Sequence, residues 1–368
     1  MTDQRKVPLV DLGWQHGQIK DEVLAGWSDV LERTSFILGP QVGQFEAEYA
    51  RFSGVEHCIG VGSGTDALEL ALRAVGVGPG DEVVLPANTF IATALAVTRS
   101  GATPVLVDCD PETYLITAGT IAPAVNTRTK AIIPVHLYGQ MAPVQEIKEA
   151  FPELVVIEDG AQSQGATRHG SPSGSVGHIG ATSFYPGKNI GAYGDAGAVL
   201  TNDPGFGEQV HKLRNWGSDV KYFHPEKGFN SRLDTIQAVV LLAKLARLEQ
   251  WNKLRAGAAE RYLEGLAGSD LVLPTVAKGN EHVWHLFVLQ VDDRDRVLKA
   301  LNEADVGAGI HYPIPIHLQG AYQELGHEVG AFPNSELLSS RALSLPMFPG
   351  ITQVDQEYVM SRLLEAMG

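Results

Sequence analysis

Short apolar runs and stretches of helical periodicity follow one another along most of this chain. Apolar runs bounded by polar or turn-forming residues are typical of strands buried on both faces, and they occur at 58–61, 83–86, 104–107, 131–135 and 154–158. Between them, apolar residues recur with the spacing of one helix face at 45–52, 66–75, 91–99 and 144–150. This alternation predicts an α/β fold in which helices cover both faces of a mostly parallel sheet.

The pattern changes towards the C-terminus. A long helical stretch extends from about 233 to 266, and after Gly268 a strand at 284–289 precedes helices at 294–303 and 355–367. We therefore expect a large domain at 1–250 and a smaller C-terminal α+β domain at 251–368. The first ~40 residues are predicted to be a polar opening that ends in a turn, and the stretch 165–180, rich in Gly, Ser and His, a surface hairpin or loop.

Composition narrows the class of protein. A chain of 368 residues exceeds the roughly 250–300 that one core usually serves, and 44% apolar and 19% charged residues are ordinary for a globular enzyme. The net charge of −15 argues against a nucleic acid partner, which favours a basic surface. With no signal-peptide pattern and no apolar run of ~20 residues, we expect no membrane partner. Cys58 and Cys109 predict buried free thiols in a cytoplasmic protein, and neither belongs to a metal-ligand pattern.

A glycine-rich junction after the first strand is suited to binding an anion. In the sequence GSGTDAL from residue 62, a helix follows the strand at once, so that free N–H groups at Gly64 and the Thr65 hydroxyl can hold a phosphate. The alternative is that Thr65 or Asp66 only caps the helix. The glycine spacing differs from G-x-G-x-x-G, so the junction does not favour a dinucleotide.

Four further residues occupy positions from which an α/β sheet presents groups to a ligand. Asp159 and Gln162 follow one apolar strand, Phe90 follows another, and Ser183 stands a few residues before Lys188. Each has a structural alternative. Asp159 would be a helix N-cap, Gln162 its capping-box partner, Phe90 a core residue and Ser183 an ordinary strand residue.

Lys188 differs from the other lysines because glycines and a proline hold it beside an apolar strand at 196–200. Burial disfavours the charged amine, and a neutral lysine can attack a carbonyl group. A Schiff-base lysine paired with an acid for a pyridinium nitrogen is the protein signature of pyridoxal 5′-phosphate (PLP). Lys188 and Asp159, together with the anion-binding junction, therefore predict PLP as the cofactor.

The order and wording of these motifs resemble the PLP-dependent sugar aminotransferases of the DegT/DnrJ/EryC1/StrS family, which have the aspartate aminotransferase fold (PLP fold type I). The resemblance covers nearly the whole chain and is carried by GSGTDAL at 62, EDGAQ at 158, SFYPGKNIGAYGDAGAV at 183, GFNSRLDTIQA at 228 and HYPIPIHLQ at 311. It implies a transaminase that transfers an amino group from glutamate to a nucleotide-linked ketosugar, in deoxysugar and antibiotic biosynthesis.

The resemblance also implies residue roles. Lys188 would anchor PLP and then act as the general base, and Asp159 would keep the pyridine nitrogen protonated. Asn230 matches an asparagine that reaches the phosphate from the neighbouring subunit, which implies a homodimer with shared active sites. The remaining cofactor-binding positions would contact the phosphate (Gly64, Thr65, Ser183), the ring face (Phe90) and the ring hydroxyl (Gln162).

The sequence around the lysine indicates the sugar. The wording YPGKNIGA is similar to the branch that acts on 3-keto sugars, whereas the 4-keto branch more often has histidine at the position of Tyr185. We therefore expect a dTDP-3-keto-6-deoxyhexose, with a 4-keto or a uronic acid 3-keto sugar as the alternative. A catalytically silent PLP-binding accessory protein is the alternative from another class. The residues expected to contact the substrate are Tyr185, Lys221, Arg232, His311 and Tyr312. The alternatives are a solvated side chain for Lys221, a surface ion pair or a contact to the loop backbone for Arg232, and satisfied side chains at a strand end for His311 and Tyr312.

Overall fold

The structure, a computed structural model, describes residues 5–368. Its helices are α1 (Leu12–Arg33), α2 (Pro40–Ser53), α3 (Gly64–Ala74), α4 (Ile91–Ser100), α5 (Ala118–Ile121), α6 (Val144–Ala150), α7 (Pro204–Arg214), α8 (Thr235–Gly265), α9 (Arg294–Glu303), α10 (Pro333–Arg341) and α11 (Gln353–Met367). Its strands are β1 (His57–Val61), β2 (Glu82–Pro86), β3 (Thr103–Val107), β4 (Thr129–Ile132), β5 (Val155–Asp159), β6 (Thr167–Arg168), β7 (Ser171–Pro172), β8 (Ile179–Ser183), β9 (Gly197–Thr201), β10 (Asn280–Glu281), β11 (Phe287–Gln290) and β12 (Ala342–Leu345).

A seven-stranded sheet in the order β1-β9-β8-β5-β4-β2-β3 organises the large part of the chain. Strand β9 runs antiparallel to both of its neighbours, and the other pairings are parallel. The predicted mostly parallel sheet is therefore confirmed. The predicted hairpin at 165–180 is formed by β6 and β7, which pair antiparallel.

Successive strand residues point to opposite faces of this sheet, and both faces are covered. In β2, Val83 and Leu85 pack in one core with residues of α3 and α4, whereas Val84 packs in another with Val144 and Ile147 of α6. Because both faces exclude water, the strands consist of continuous apolar runs, as the sequence indicated.

The C-terminal part has a separate core. Strands β11 and β12 pair antiparallel, and α9, α11 and the second half of α8 pack on them. Helix α8 runs without interruption through residue 250, where we divided the chain, and Val7 near the N-terminus also packs in this second core. The division into 1–250 and 251–368 stays a prediction.

Two sequence expectations are corrected. Most of the N-terminal segment that was expected to be polar and irregular forms the 22-residue helix α1. Its buried side chains are only Gln15, Ile19, Val23 and Val30, and so narrow an apolar stripe gives a weak helical pattern in the sequence. The C-terminal strand begins at Phe287 instead of 284. Within residues 5–368, none of the helices is long and apolar enough to span a bilayer, and no group of metal-ligating side chains is present.

Candidate active site

The candidate site lies where the carboxyl ends of the parallel strands meet helix starts and loops. Strands β5 and β8 end at Asp159 and Ser183, α3 starts at Gly64 directly after β1, and α4 starts directly after Phe90. These ends share one edge of the sheet, so residues distant in sequence converge there.

The junction between β1 and α3 brings Gly64, Thr65 and Ser183 together. A Cβ placed on Gly64 would lie 2.5 Å from the Cβ of Ser183, so only glycine allows this approach. Neither expected cap is used, because the Ser63 hydroxyl accepts the hydrogen bond from the Asp66 N–H at 3.1 Å. Within residues 5–368, the Thr65 hydroxyl has no hydrogen-bond partner, so it remains available to an anion at this helix start.

Asp159 is buried at the end of β5, and its carboxylate is held in a fixed orientation. It accepts hydrogen bonds from the Thr93 hydroxyl at 2.9 Å and from the Ala161 N–H at 3.2 Å. No helix follows β5 before the β6–β7 hairpin, so the N-cap alternative fails. Burial raises the pKa of Asp159, although Thr93, Ala161 and the positive charge of Lys188 oppose this rise. Such a carboxylate is well placed to pair with a buried cationic nitrogen.

Gln162 links the large part of the chain to the C-terminal part. Its side-chain oxygen accepts a hydrogen bond from the Tyr138 N–H at 2.6 Å, and its Nε2 donates to the Tyr312 hydroxyl at 3.0 Å. It is therefore not a capping-box partner. Burial raises the pKa of Tyr312, so its hydroxyl stays protonated.

Phe90 is not a core residue, because its side chain is 52% exposed. Its ring centroid lies 5.3 Å from that of Tyr312, with the two planes inclined at 36°. The two rings therefore present aromatic surface at the same edge of the sheet as Asp159.

Lys188 lies in the loop between β8 and β9, and its amine is desolvated. Burial lowers the pKa of Lys188 to about 8, although the negative charge of Asp159 opposes this effect. No carboxylate lies within 4.0 Å of its Nζ in the part of the chain that the structure describes. The loop is fixed by Asn189, whose side-chain nitrogen donates to the Asn252 side-chain oxygen and to the Val283 carbonyl, both at 2.9 Å. A substantial neutral fraction at pH 7–8 makes this amine a nucleophile.

Two imidazoles that interact electrostatically with Lys188 are neutral. His311 Nδ1 is hydrogen-bonded to the Ser344 hydroxyl at 2.8 Å, and His285 Nδ1 to the Asn189 side-chain oxygen at 3.2 Å. Burial, reinforced by the charge of Lys188, lowers the pKa of His311 to about 4 and that of His285 well below its ordinary value. The site thus holds polar rings that add no positive charge at pH 7.

A second buried pair, His136 and Glu158, lies behind Asp159. His136 Nε2 donates to Glu158 at 2.7 Å, because its Nδ1 accepts from the Ala142 N–H. Burial would raise the pKa of Glu158, but this donor and backbone N–H groups outweigh it and hold the pKa below its ordinary value. The His136 N–H also donates to the Asp159 carbonyl at 3.0 Å, so the pair fixes the strand end that carries the acid.

The remaining candidates lie around this cluster or away from it. Tyr185 is 59% exposed in the Lys188 loop. The Asn230 side-chain oxygen accepts from Arg232 at 2.6 Å, so Arg232 binds side-chain amides and forms no ion pair within the described chain. Lys221 lies on an exposed segment with its Nζ 5.0 Å from the centre of the Tyr222 ring. Within residues 5–368, the side chains of Asn230, Arg232 and Lys221 form no hydrogen bond to Lys188 or Asp159.

Several residues of this cluster were not predicted from the sequence. Thr93 orients Asp159, His136 pairs with Glu158, and His285 lies beside the Lys188 loop. Of these residues, His136 could have been predicted as a site residue, because it directly follows the strand predicted at 131–135. His285 had none, because it was assigned to a strand.

The residues present fit PLP. A side chain larger than glycine at position 64 would fill the space beside Ser183 that a bound phosphate needs. The buried carboxylate of Asp159 is suited to pair with a pyridinium nitrogen. The desolvated Lys188 matches the aldehyde. Fold and site together define a PLP-dependent enzyme of the aspartate aminotransferase fold.

Comparison with known proteins identifies the family. The chain belongs to the DegT/DnrJ/EryC1/StrS aminotransferase family, whose model matches residues 17–364. The X-ray crystal structure of S. venezuelae DesV in complex with ketimine intermediate superposes with a TM-score of 0.96 at 41% identity, covering 98% of both chains. This agreement confirms the predicted fold class and the aminotransferase identity.

Three relatives of known name resemble the chain over nearly its whole length. A pleiotropic regulatory protein of Geobacillus stearothermophilus is 43% identical, covering 98% of both chains. The dTDP-3-amino-3,4,6-trideoxy-α-D-glucose transaminase of Streptomyces venezuelae is 42% identical, over 94% of this chain and 92% of its own. The UDP-N-acetyl-3-dehydro-α-D-glucosamine 3-aminotransferase of Acidithiobacillus ferrooxidans is 47% identical, covering 96% of both.

Proposed function

We propose that this protein transfers an amino group from glutamate to a dTDP-linked 3-keto-6-deoxyhexose and forms the 3-amino sugar. The observation that carries the proposal is the desolvated amine of Lys188, which interacts electrostatically with the buried carboxylate of Asp159, in a chain of an aminotransferase family. The relatives named above support the position of amination, because two of them are named for transfer to carbon 3 of a nucleotide-linked sugar.

The cofactor-binding roles follow from the geometry. A phosphate at the start of α3 would meet the helix N–H groups and the hydroxyls of Thr65 and Ser183. Phe90 would cover one face of the ring, and Gln162 would donate to the ring hydroxyl through the Nε2 that now contacts Tyr312. Asp159 would hold the pyridine nitrogen in its protonated form, because an ionised carboxylate in a buried place is stabilised by a paired cation.

PLP, when bound, supplies an electron sink that weakens the bonds at the amino-bearing carbon. Lys188 supplies the covalent anchor and, once displaced by the amino donor, the base that moves a proton at Nζ. Its lowered pKa of about 8 suits both tasks, since the amine is partly neutral near pH 7.5 and still basic enough to take a proton. Thr93 and the His136–Glu158 pair keep Asp159 oriented meanwhile.

Three residues are proposed to contact the sugar. Tyr185 extends into solvent beside the Lys188 loop, where a large nucleotide-linked substrate can approach. His311 and Tyr312 lie on the C-terminal side of the cluster, and the neutral imidazole of His311 can hydrogen-bond a sugar hydroxyl.

A homodimer with shared active sites is supported by the segment that carries Lys221 and Asn230. Within residues 216–223, four large apolar side chains are exposed, with Tyr222 at 83%, and an exposed apolar cluster of this kind marks an interaction surface. In a homodimer, the active site of one chain would receive Asn230, Lys221 and Arg232 from the other chain. These residues would contact the cofactor phosphate and the substrate diphosphate. The cytoplasmic location also stays a proposal, supported by the buried free thiols Cys58 and Cys109.

Two alternatives are kept. A 4-keto or a uronic acid 3-keto nucleotide sugar would use the same chemistry. The regulatory name of one relative favours a PLP-binding protein without turnover. Both Lys188 and Asp159 are nevertheless present here, with the pKa of the lysine lowered and that of the acid raised, as expected of groups that take part in catalysis.

An assay in the reverse direction separates these possibilities. The PLP-loaded protein is incubated with 2-oxoglutarate and each of a panel of amino sugars, namely dTDP-3-amino and dTDP-4-amino deoxyhexoses and a UDP-3-amino uronic acid, and glutamate is measured. We expect turnover of the dTDP-3-amino sugar and none with Lys188→Ala. Preference for another sugar would replace the proposed substrate, and the absence of turnover with every sugar would favour the accessory role.

Mixing two variants tests the shared site. Lys188→Ala and Asn230→Ala homodimers are each expected to be impaired, whereas subunit exchange creates one intact site in each mixed dimer if Asn230 acts across the interface. Random exchange would then restore about a quarter of wild-type activity. Activity no higher than that of the unmixed variants would place Asn230 outside the neighbouring site.

A further inference from the structure

A cavity of about 400 Å³ lies next to the Lys188 loop, and Lys188 itself does not line it. Its walls come from the first turns of α1, from the loop between β8 and β9, and from α8. The lining residues are Leu12, Gly13, His16, Pro186, Ala192, Tyr193 and Lys244. The size falls within the range of small-molecule sites.

Lys244 is the unusual member of this lining. Its side chain is only 2% exposed, yet it forms no hydrogen bond and no ion pair within the part of the chain that the structure describes. Its one partner is the Tyr193 ring, whose centre lies 5.1 Å from Nζ. A single ring face offsets only part of the cost of burying an ammonium group, so the amine lacks a counter-charge.

The absence of a counter-charge at Lys244 among the described residues is unexpected in a chain with an excess of acidic residues. The protein has a net charge of −15, and nevertheless no Asp or Glu of residues 5–368 lies within 4.0 Å of Lys244 Nζ. Burial lowers the pKa of Lys244 to about 8, so most of the amine remains cationic at pH 7. A buried cation that lines a cavity and has no anionic partner within residues 5–368 is the feature expected of an anion site.

The other walls decide which anion fits. The only further polar side chains are Tyr193 and His16, which are hydrogen-bonded to each other at 2.7 Å, and the remaining walls are carbon from Leu12, Pro186 and Ala192. Because these walls are mostly carbon, a phosphate, which carries charge on all sides, would leave most of its oxygens without a donor there. A carboxylate needs one strong cation and can place an apolar body against the carbon walls.

We propose that this cavity binds an organic monocarboxylate with an apolar body, in which the carboxylate pairs with Lys244 and the body packs against Leu12, Pro186 and Ala192. Such a ligand would contact the loop that holds Lys188 without occupying the place of PLP. Pro186 and Ala192 stand on either side of Lys188 in the sequence, so an occupied cavity would brace that loop. The proposal is independent of the identity of the sugar substrate.

Titration calorimetry of the PLP-loaded protein with sodium benzoate, at pH 7 and constant ionic strength, tests the site. The informative variant is Lys244→Met, which keeps the chain length and removes the charge. Lys253→Met is the matched control, because Lys253 lies on the same helix, is 75% exposed and pairs with Glu249. We expect equal binding by wild type and Lys253→Met, and binding weaker by at least about tenfold in Lys244→Met, the effect of losing one charge-assisted hydrogen bond.

A thermal melt supplies a second readout and a folding control. Lys244→Met should melt no lower than wild type, since an unpaired buried charge is removed. Saturating benzoate should raise the melting temperatures of wild type and Lys253→Met but leave that of Lys244→Met unchanged. Equal benzoate affinity in Lys244→Met would overturn the proposal, because the probe would then bind elsewhere. So would the absence of binding by wild type, as expected if a second copy of the chain fills the cavity, or inorganic phosphate binding as tightly as benzoate.

Discussion

The pH dependence of PLP attachment tests the environment of Lys188 most directly. Only the neutral amine attacks the aldehyde, and burial lowers the pKa of Lys188 to about 8. With that value, about 9% of the amine is neutral at pH 7, about half at pH 8 and about 91% at pH 9. A solvated lysine is less than ~0.1% neutral at pH 7 and gains about tenfold with each pH unit. The structure therefore predicts a rate that rises about fivefold from pH 7 to 8 and less than twofold from 8 to 9.

The assay mixes apoprotein with PLP and follows the absorbance of the attached cofactor between pH 7 and 9.5. A parallel reaction of PLP with N-acetyl-lysine corrects for the ionisation of PLP itself. Asp159→Asn removes the negative charge that favours the charged amine, so the levelling-off should move to lower pH. Borohydride reduction followed by peptide mass spectrometry should place the label on Lys188 and not on Lys244, whose pKa is also lowered to about 8 but which lacks the junction at Gly64. A rate that keeps rising tenfold per unit through pH 9 would show that Lys188 is not desolvated.

Three further changes have expected outcomes. Glu158→Gln places an NH₂ group where backbone N–H groups and His136 donate. Urea denaturation should therefore show a loss of about 1–3 kcal/mol in the free energy of unfolding. An unchanged midpoint would mean that the carboxylate is dispensable. Phe90→Ala should weaken PLP retention by about 0.5–1.5 kcal/mol in equilibrium dialysis, with Phe90→Tyr as the aromatic control, and equal retention would exclude stacking. Ser63→Ala removes the cap of α3 and should cost about 1 kcal/mol of stability, measured by thermal unfolding, whereas an unchanged melting temperature would mean that the cap contributes nothing.

The sequence predicted those parts of the site that depend on short-range pattern. Each of these parts is recognisable from about a dozen neighbouring residues: a glycine pair after an apolar strand, an acid at a strand end and a lysine among small residues. Their convergence was also predictable, because the carboxyl ends of parallel strands share one edge of a sheet. The structural alternatives for Asp159, Gln162 and Phe90 could not be removed in this way. Capping requires a helix directly after the residue, and burial requires distant segments that pack against it.

Helix α1 shows where the pattern fails. Two of its four buried side chains, Ile19 and Val23, pack against α8, which lies more than 200 residues away in the sequence. The same holds for the His136–Glu158 pair, for Thr93 against Asp159, and for Tyr312 against Gln162. The residues in these contacts are far apart in the sequence, and nothing in the sequence indicates that they are close in space.

By itself, the sequence determined the layered α/β architecture and the residue types that PLP chemistry requires, because apolar periodicity and strand-end positions are local properties of the chain. The tertiary structure alone decided the electrostatic state of those residues. Desolvation at Lys188 and at Lys244 arises from distant segments that exclude water. The same packing left Lys188 in electrostatic interaction with Asp159, and Lys244 in the wall of a cavity without a counter-charge among the described residues.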